Sequence, residues 1–163
     1  MQEKNLSQLM KAGMRHLVSG VCVISAAFED GETFAMTASS VTSVSDSPAS
    51  LLVCINQQVS KSEEMSSIGQ RLAVNLLSSE HEEVSNLCAG RDASQDRFML
   101  GNWGSLDGTP VLTDSLVTFL CEVDQVVTYG THHVVICKIH DVLSREELVH
   151  PLVYAQGRYG TFV

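Results

Sequence analysis

Positive charge is what this chain most lacks. Ten lysines and arginines stand against nineteen aspartates and glutamates, for a net charge of −9 in 163 residues. That balance argues against a face built to bind nucleic-acid phosphates, while leaving room for a local basic pocket. Long apolar runs are missing too. Each breaks well before the ~18 residues of a membrane-spanning helix, so no membrane partner is expected. The amino terminus, Met-Gln-Glu-Lys-Asn, has neither the basic region nor the apolar core of a secretory signal, so a cytoplasmic location is expected by default. No Cys-x-x-Cys occurs among the five cysteines, Cys22, Cys54, Cys88, Cys121 and Cys137. An odd, dispersed set fits reduced, mostly buried thiols, and no spacing of Cys or of the six histidines supports a metal site. Absent as well are a Gly-x-Gly-x-x-Gly after a strand, a P-loop and a Gly-x-Ser-x-Gly elbow. The side chains advertise neither acid–base nor metal catalysis, which suits a protein whose cofactor performs the hard step.

What the chain does have is a globular composition, 44% hydrophobic and 18% charged, long enough for one domain over residues 1–163. Its distinctive stretch is Met36-Thr-Ala-Ser-Ser-Val-Thr-Ser-Val-Ser45, in which six of ten residues carry a hydroxyl. β-Branched content and alternation make it a strand. Val41 and Val44 are its apolar anchors. A strand edge lined with small hydroxyls and backbone N–H groups can hold an anionic or amide-rich ligand, such as a flavin's ring and phosphate. It can equally be the exposed face of an ordinary barrel.

Around it the pattern is mostly β with a few helices. Asn5, with Gln8 three residues on, caps a helix whose apolar stripe (Leu6, Leu9, Met10, Gly13, Met14, Leu17) is expected to pack on the barrel. Val21–Phe28 is a strand, Asp30-Gly31 marks a hairpin turn, and Phe34–Ser45 returns antiparallel. Asp46-Ser47-Pro48 turns the chain into a buried strand, Leu51–Ile55. Ser60–Ile68 is a short helix, where Ser60, Lys61 and Ser62 could form a phosphate cradle or simply a capped surface helix. Arg71–Leu77 is a strand, and Ser79–Cys88 a helix capped by Ser79 with Glu82. Residues 89–109 form a long irregular connection carrying Arg97 and Trp103. Leu116–Val127 and His132–Val142 are strands, and Leu152–Tyr154 is a last one followed by a loop. Successive strands joined by tight turns suggest a closed antiparallel barrel.

In this order and spacing the pieces resemble the flavin reductase-like family, with its FMN-binding split barrel. The likeness rests on Met36–Ser45, Pro48 with Leu51–Asn56, Ala73–Leu77, Ala89-Gly90 with Arg97-Phe98, Gly108–Leu112, Gly130-Thr131-His132, and Pro151–Tyr154 with Gly157-Arg158-Tyr159. Within the family it is most similar to the small reductase component of two-component aromatic hydroxylases.

The resemblance implies reduction of FMN or FAD by NADH or NADPH, a homodimer, and delivery of reduced flavin to a separate oxygenase. It implies that Thr37, Ala38, Ser39 and Ser40, with Ser43, Val44 and Ser45, line the flavin ring and ribityl chain. Cys54, Ile55 and Asn56 would lie beside the ring, Ser60, Lys61 and Ser62 at the phosphate. Ala73, Val74 and Asn75 add contacts, and Arg97 is a further phosphate partner. His132 corresponds to the histidine near the nicotinamide, and Tyr159 closes over it. Two departures stand out. Ala35 replaces a common glycine, and Thr131 replaces a common aspartate that would orient His132. A non-enzymatic flavin-binding electron carrier is the alternative on the same barrel, and a plain interaction barrel a third.

Overall fold

The computed structural model describes residues 5–163. Twelve strands carry the fold: β1 (Ser19–Gly20), β2 (Cys22–Ala27), β3 (Thr33–Ala38), β4 (Val41–Asp46), β5 (Ala49–Asn56), β6 (Arg71–Leu76), β7 (Trp103–Leu106), β8 (Thr109–Leu112), β9 (Val117–Tyr129), β10 (His132–Ser144), β11 (Leu152–Ala155) and β12 (Arg158–Thr161). The helices are α1 (Leu6–Met14), α2 (Ser62–Met65) and α3 (Glu82–Cys88), the last preceded by a 3-10 turn at Ser79–His81.

Seven strands form the main sheet in the order β3-β2-β6-β9-β10-β5-β4, every neighbouring pair antiparallel. β7 and β8 make a hairpin, and β1, β11 and β12 a small third sheet. The expected single strand Phe34–Ser45 is in fact two, parted at Ser39-Ser40 and lying on opposite edges of the sheet. Six antiparallel steps separate β3 from β4, so both run in the same direction. Parallel neighbours need a crossover of a dozen or more residues, and only two residues join these strands. The edges therefore meet at a corner without a shared ladder. The sheet is open, and the expectation of a closed barrel is corrected on that point.

Core residues lie on both faces of β2, which explains its unbroken apolar run. One cluster joins Cys22, Ile24, Met36, Val53, Ile55, Leu72, Val74, Val123 and Val135. On the opposite face Val21, Val23, Ala35 and Leu77 meet Val84 and Cys88 of α3, Leu112 of β8 and Leu152 of β11, with Phe98 and Trp103 packed alongside. The expected irregular connection is shorter than its sequence suggested, because residues 103–112 are a hairpin turned at Asp107-Gly108.

A second correction concerns α1. Asn5 caps it by accepting from the Ser7 amide, but none of its residues is buried, and Leu6, Met10 and Met14 are more than half exposed. Its end is held by the Gln156 amide donating to the Arg15 carbonyl at 2.6 Å. No α1 residue joins either core cluster, so the stripe packs against neither among the described residues.

Candidate functional site

The corner at Ser39-Ser40 divides the expected site residues into two groups. On the β3 side, Thr37, Ala38 and Ser39 line a groove of about 230 Å³ together with Val21, Ser85, Ala89, Arg91, Tyr154 and Tyr159. A short relay of hydrogen bonds sets its floor. Thr37 Oγ1 donates to the Ser85 carbonyl at 2.6 Å. Tyr159 Oη donates to Asn86 Oδ1 at 3.1 Å, so the 2.7 Å contact between Ser85 Oγ and Tyr159 Oη has Ser85 as the donor. Tyr154 meets Tyr159 edge to face, centroids 5.2 Å apart. Tyr159, expected over the nicotinamide, thus shares one groove with Thr37, Ala38 and Ser39.

On the β4–β5 side, Ser40 is a clasp. Its hydroxyl donates to the Cys54 carbonyl at 3.1 Å and accepts from the Cys54 amide at 3.2 Å. These bonds hold the corner onto β5. Register places Asn56 opposite His132 and Cys54 opposite Val134, so all four side chains emerge on one face, half-buried. Ile55 points the other way and is fully buried. His132 Nδ1 lies 2.8 Å from Thr131 Oγ1. The threonine at the departure position therefore takes hold of the ring, leaving Nε2 open. His133 turns inward, its two nitrogens on Thr128 Oγ1 at 2.8 Å and Glu63 Oε1 at 3.1 Å.

Ser43, Val44 and Ser45 are exposed on edge strand β4. A register shift falls between Ser43 and Ser45, and Ser45 Oγ accepts from the Ser47 amide.

Other expected residues lie away from both groups. Ala73, Val74 and Asn75 are completely buried in β6. Asn75 Nδ2 donates to the Val23 carbonyl (2.9 Å) and to Ser25 Oγ (3.0 Å), while Oδ1 accepts from the Leu112 amide (3.0 Å) and Thr118 Oγ1 (2.9 Å). It ties β2, β6, β8 and β9 together and presents no surface to a ligand. Lys61 pairs with Glu32 and lies over the Phe28 ring. The Glu32 hydrogen bond pushes its pKa upward. Ser60 is exposed, whereas Ser62 is buried and donates to the Gln57 carbonyl. α2 has only four residues, so its end has little macrodipole to offer an anion. Arg97 Nη1 donates to the carbonyls of Ala35 (2.8 Å) and Cys88 (3.3 Å), and its guanidinium sits 4.5 Å above Phe34. It is a strut between β3 and α3.

The Flavin reductase like domain family matches residues 14–162 of this sequence. The chain belongs to that family. It is 37% identical to FMN reductase (NADH) RutF of Serratia proteamaculans over 153 residues, which cover 93% of this chain and 86% of that one. RutF of Methylorubrum populi is 38% identical over 152 residues, 93% of this chain and 74% of that one. Among solved structures, the styrene monooxygenase flavin reductase (SMOB) of Pseudomonas putida S12 superposes with a TM-score of 0.82 at 25% identity, covering 94% of this chain and 97% of that one. The matched stretch starts at Met14, so Leu6, Leu9, Met10 and Gly13 of the α1 stripe precede it.

Sequence reasoning missed Ser85, Arg91 and Tyr154 in the groove. α3 and the tail come to β3 only through the tertiary fold, and no local spacing announces that meeting. Among the described residues no group of His, Cys, Asp and Glu is gathered closely enough to hold a metal ion, and no helix is long and apolar enough to cross a membrane.

Proposed function

We propose that this chain is an NADH-dependent flavin reductase, with FMN as its first-choice flavin. The observation that carries the reading is the groove beside the Ser39-Ser40 corner, floored by Thr37 and walled by Tyr159, in a chain of this family. Its chemistry fits a flavin: flat aromatic walls, small hydroxyls, and the amides of Ser39 and Ser40, which donate no backbone hydrogen bond among the described residues. At about 230 Å³ it falls below the ~300–1,000 Å³ of a complete cofactor site. It therefore suits one end of the ligand, with the remainder covered by something else.

A second copy of the chain is the natural cover. The relatives' homodimers are part of the resemblance, and α1 and the residues after it leave Leu6, Leu9, Met10, Met14, Leu17 and Val18 exposed. Patches of that kind support a protein interface.

Bound flavin would supply the hydride acceptor. The protein's part is to bring donor and acceptor into near-attack contact and exclude water from between them. His132, held by Thr131, offers Nε2 from the half-buried face shared with Asn56 and Cys54, where it can hydrogen-bond a nicotinamide carboxamide. Backbone N–H groups at the corner would favour negative charge on the ring of a bound flavin. Release of the reduced flavin to a separate oxygenase completes the proposed role. The names of neighbours such as the styrene monooxygenase reductase support it.

The test is NADH oxidation followed at 340 nm with and without added FMN or FAD. A rate that requires flavin is expected. Flavin-independent or absent oxidation refutes the reading.

A further inference from the structure

An anionic phosphate must be held somewhere on a chain of net charge −9. Both cations that sequence reasoning assigned to that task are occupied. Lys61 is paired with Glu32, and Arg97 is spent on the Ala35 and Cys88 carbonyls and the Phe34 ring. One cation lines the groove beside Thr37, Ser39 and Tyr159, and it is Arg91. Among the described residues it makes no side-chain hydrogen bond and no ion pair. Its acidic neighbour, Asp92, is turned elsewhere: Oδ1 accepts from both the amide and the hydroxyl of Ser94, and these bonds lower its pKa.

The surroundings favour a free guanidinium at this point. Arg91 follows α3 closely, where the carbonyls at a helix C-terminus favour a cation. Arg97 already covers the Cys88 carbonyl there. Arg91 is left with its planar fork of donors, a shape matched to phosphate oxygens. Gly90, at φ +74°, redirects the chain just before Arg91, and its missing side chain leaves room for Arg97. The two cations are thus divided between one structural and one open position.

We propose that Arg91 binds the phosphate of the ligand that enters the Tyr154–Tyr159 groove. The proposal rests on the flavin reductase reading and adds to it the residue that recognises the charged end. Phosphate monoester of FMN and pyrophosphate of a dinucleotide share this chemistry, and the experiment separates them.

Full-length wild type, Arg91→Gln and Arg91→Lys are titrated with FMN and with riboflavin, which lacks the phosphate, by flavin fluorescence; KM for NADH is measured alongside. Loss of a charge-assisted hydrogen bond in R91Q corresponds to roughly 10- to 100-fold weaker binding of the phosphorylated ligand. For a flavin phosphate, the FMN Kd rises by that factor, riboflavin binding stays put, and R91K recovers part of the loss. For a dinucleotide phosphate, KM for NADH rises and FMN binding holds. Unchanged FMN Kd and NADH KM in R91Q overturn the proposal, as does an equal loss of FMN and riboflavin. A wild type that neither binds nor reduces flavin refutes the functional reading itself, whereas an active wild type matched by R91Q refutes only the role of Arg91.

Discussion

Replacing Asn75 by alanine separates a ligand contact from a core brace. Asn75 is fully buried, and all four of its hydrogen-bonding directions are used. Alanine strands the Leu112 amide, whose partner is Asn75 Oδ1. The Thr118 hydroxyl can still turn to Ser115 Oγ, 2.8 Å away. A buried group left without a partner costs about 1–3 kcal/mol, and the lost side chain leaves a small cavity besides. The sum is about 2–5 kcal/mol, or roughly 5–15 °C in Tm for a chain of this size. Calorimetry or a urea melt measures the loss, and flavin titration at 10 °C, where the variant stays folded, measures affinity. The expectation is a large drop in Tm with flavin Kd within about twofold of wild type. A Tm within about 2 °C of wild type together with a tenfold weaker Kd would make Asn75 a ligand contact and refute the burial argument.

Two further substitutions or conditions test the same framework. Gly90→Ala puts a methyl group against the Arg97 guanidinium at a residue with φ +74°, which costs about 1–2 kcal/mol for the backbone alone; Tm is expected to fall by roughly 3–8 °C, and an unchanged melt would show that Arg97 is not a strut. Burial pushes the thiol of Cys22 up to about 12, that of Cys88 to about 11, that of Cys137 to about 12, and that of Cys121 higher still, from an ordinary 9.0. Above pH 9 the unfolded chain sheds these protons and the folded chain keeps them, so stability declines with rising pH by at most ~1.4 kcal/mol per unit per thiol. The urea midpoint is therefore expected to drop between pH 8 and 10.5, less steeply in Cys22→Ala than in wild type, and equal slopes would contradict the assignment.

What the sequence made legible follows where local chemistry dictates geometry. Asp30-Gly31 marked the β2–β3 hairpin because a glycine with positive φ is needed there. The same pair at Asp107-Gly108 went unread because β7 and β8 are only four residues long and Trp103–Leu106 shows little alternation. The corner at Ser39-Ser40 was invisible for a different reason. The chain keeps its direction through it, with no turn residue, so two strands on opposite edges look like one. At the 3-10 turn that leads into α3, Ser78 rather than Ser79 is the cap, and His81 Nδ1, not Glu82, accepts from the Ser78 amide. A histidine acceptor lies outside the usual Ser-x-x-Glu pattern. Family resemblance named Tyr159 and Thr37 in the same site, and the fold brings them together. Burial decides against exposure for Ala73–Asn75, and burial depends on strands distant in sequence.

The hydroxyl-rich stretch then acquires a physical explanation that its composition alone concealed. Where β3 and β4 part, backbone groups lose their ladder partners, and each must find another or face solvent. Thr37 spends its hydroxyl on Ser85, Ser40 on both backbone groups of Cys54, and Ser45 on Ser47. Thr37 and Ser40 thus stabilise the corner itself, and Ser45 the turn between β4 and β5. Ser39, Thr42 and Ser43 make no side-chain hydrogen bond among the described residues, and of these only Ser39 lines the groove. Recognition of an anionic ligand at this place must consequently come less from a row of hydroxyls than from the uncommitted amides of Ser39 and Ser40 and from a cation. A corner that cannot close its own ladder leaves the Ser39 and Ser40 amides without backbone partners among the described residues, and the proposed flavin site would draw on them.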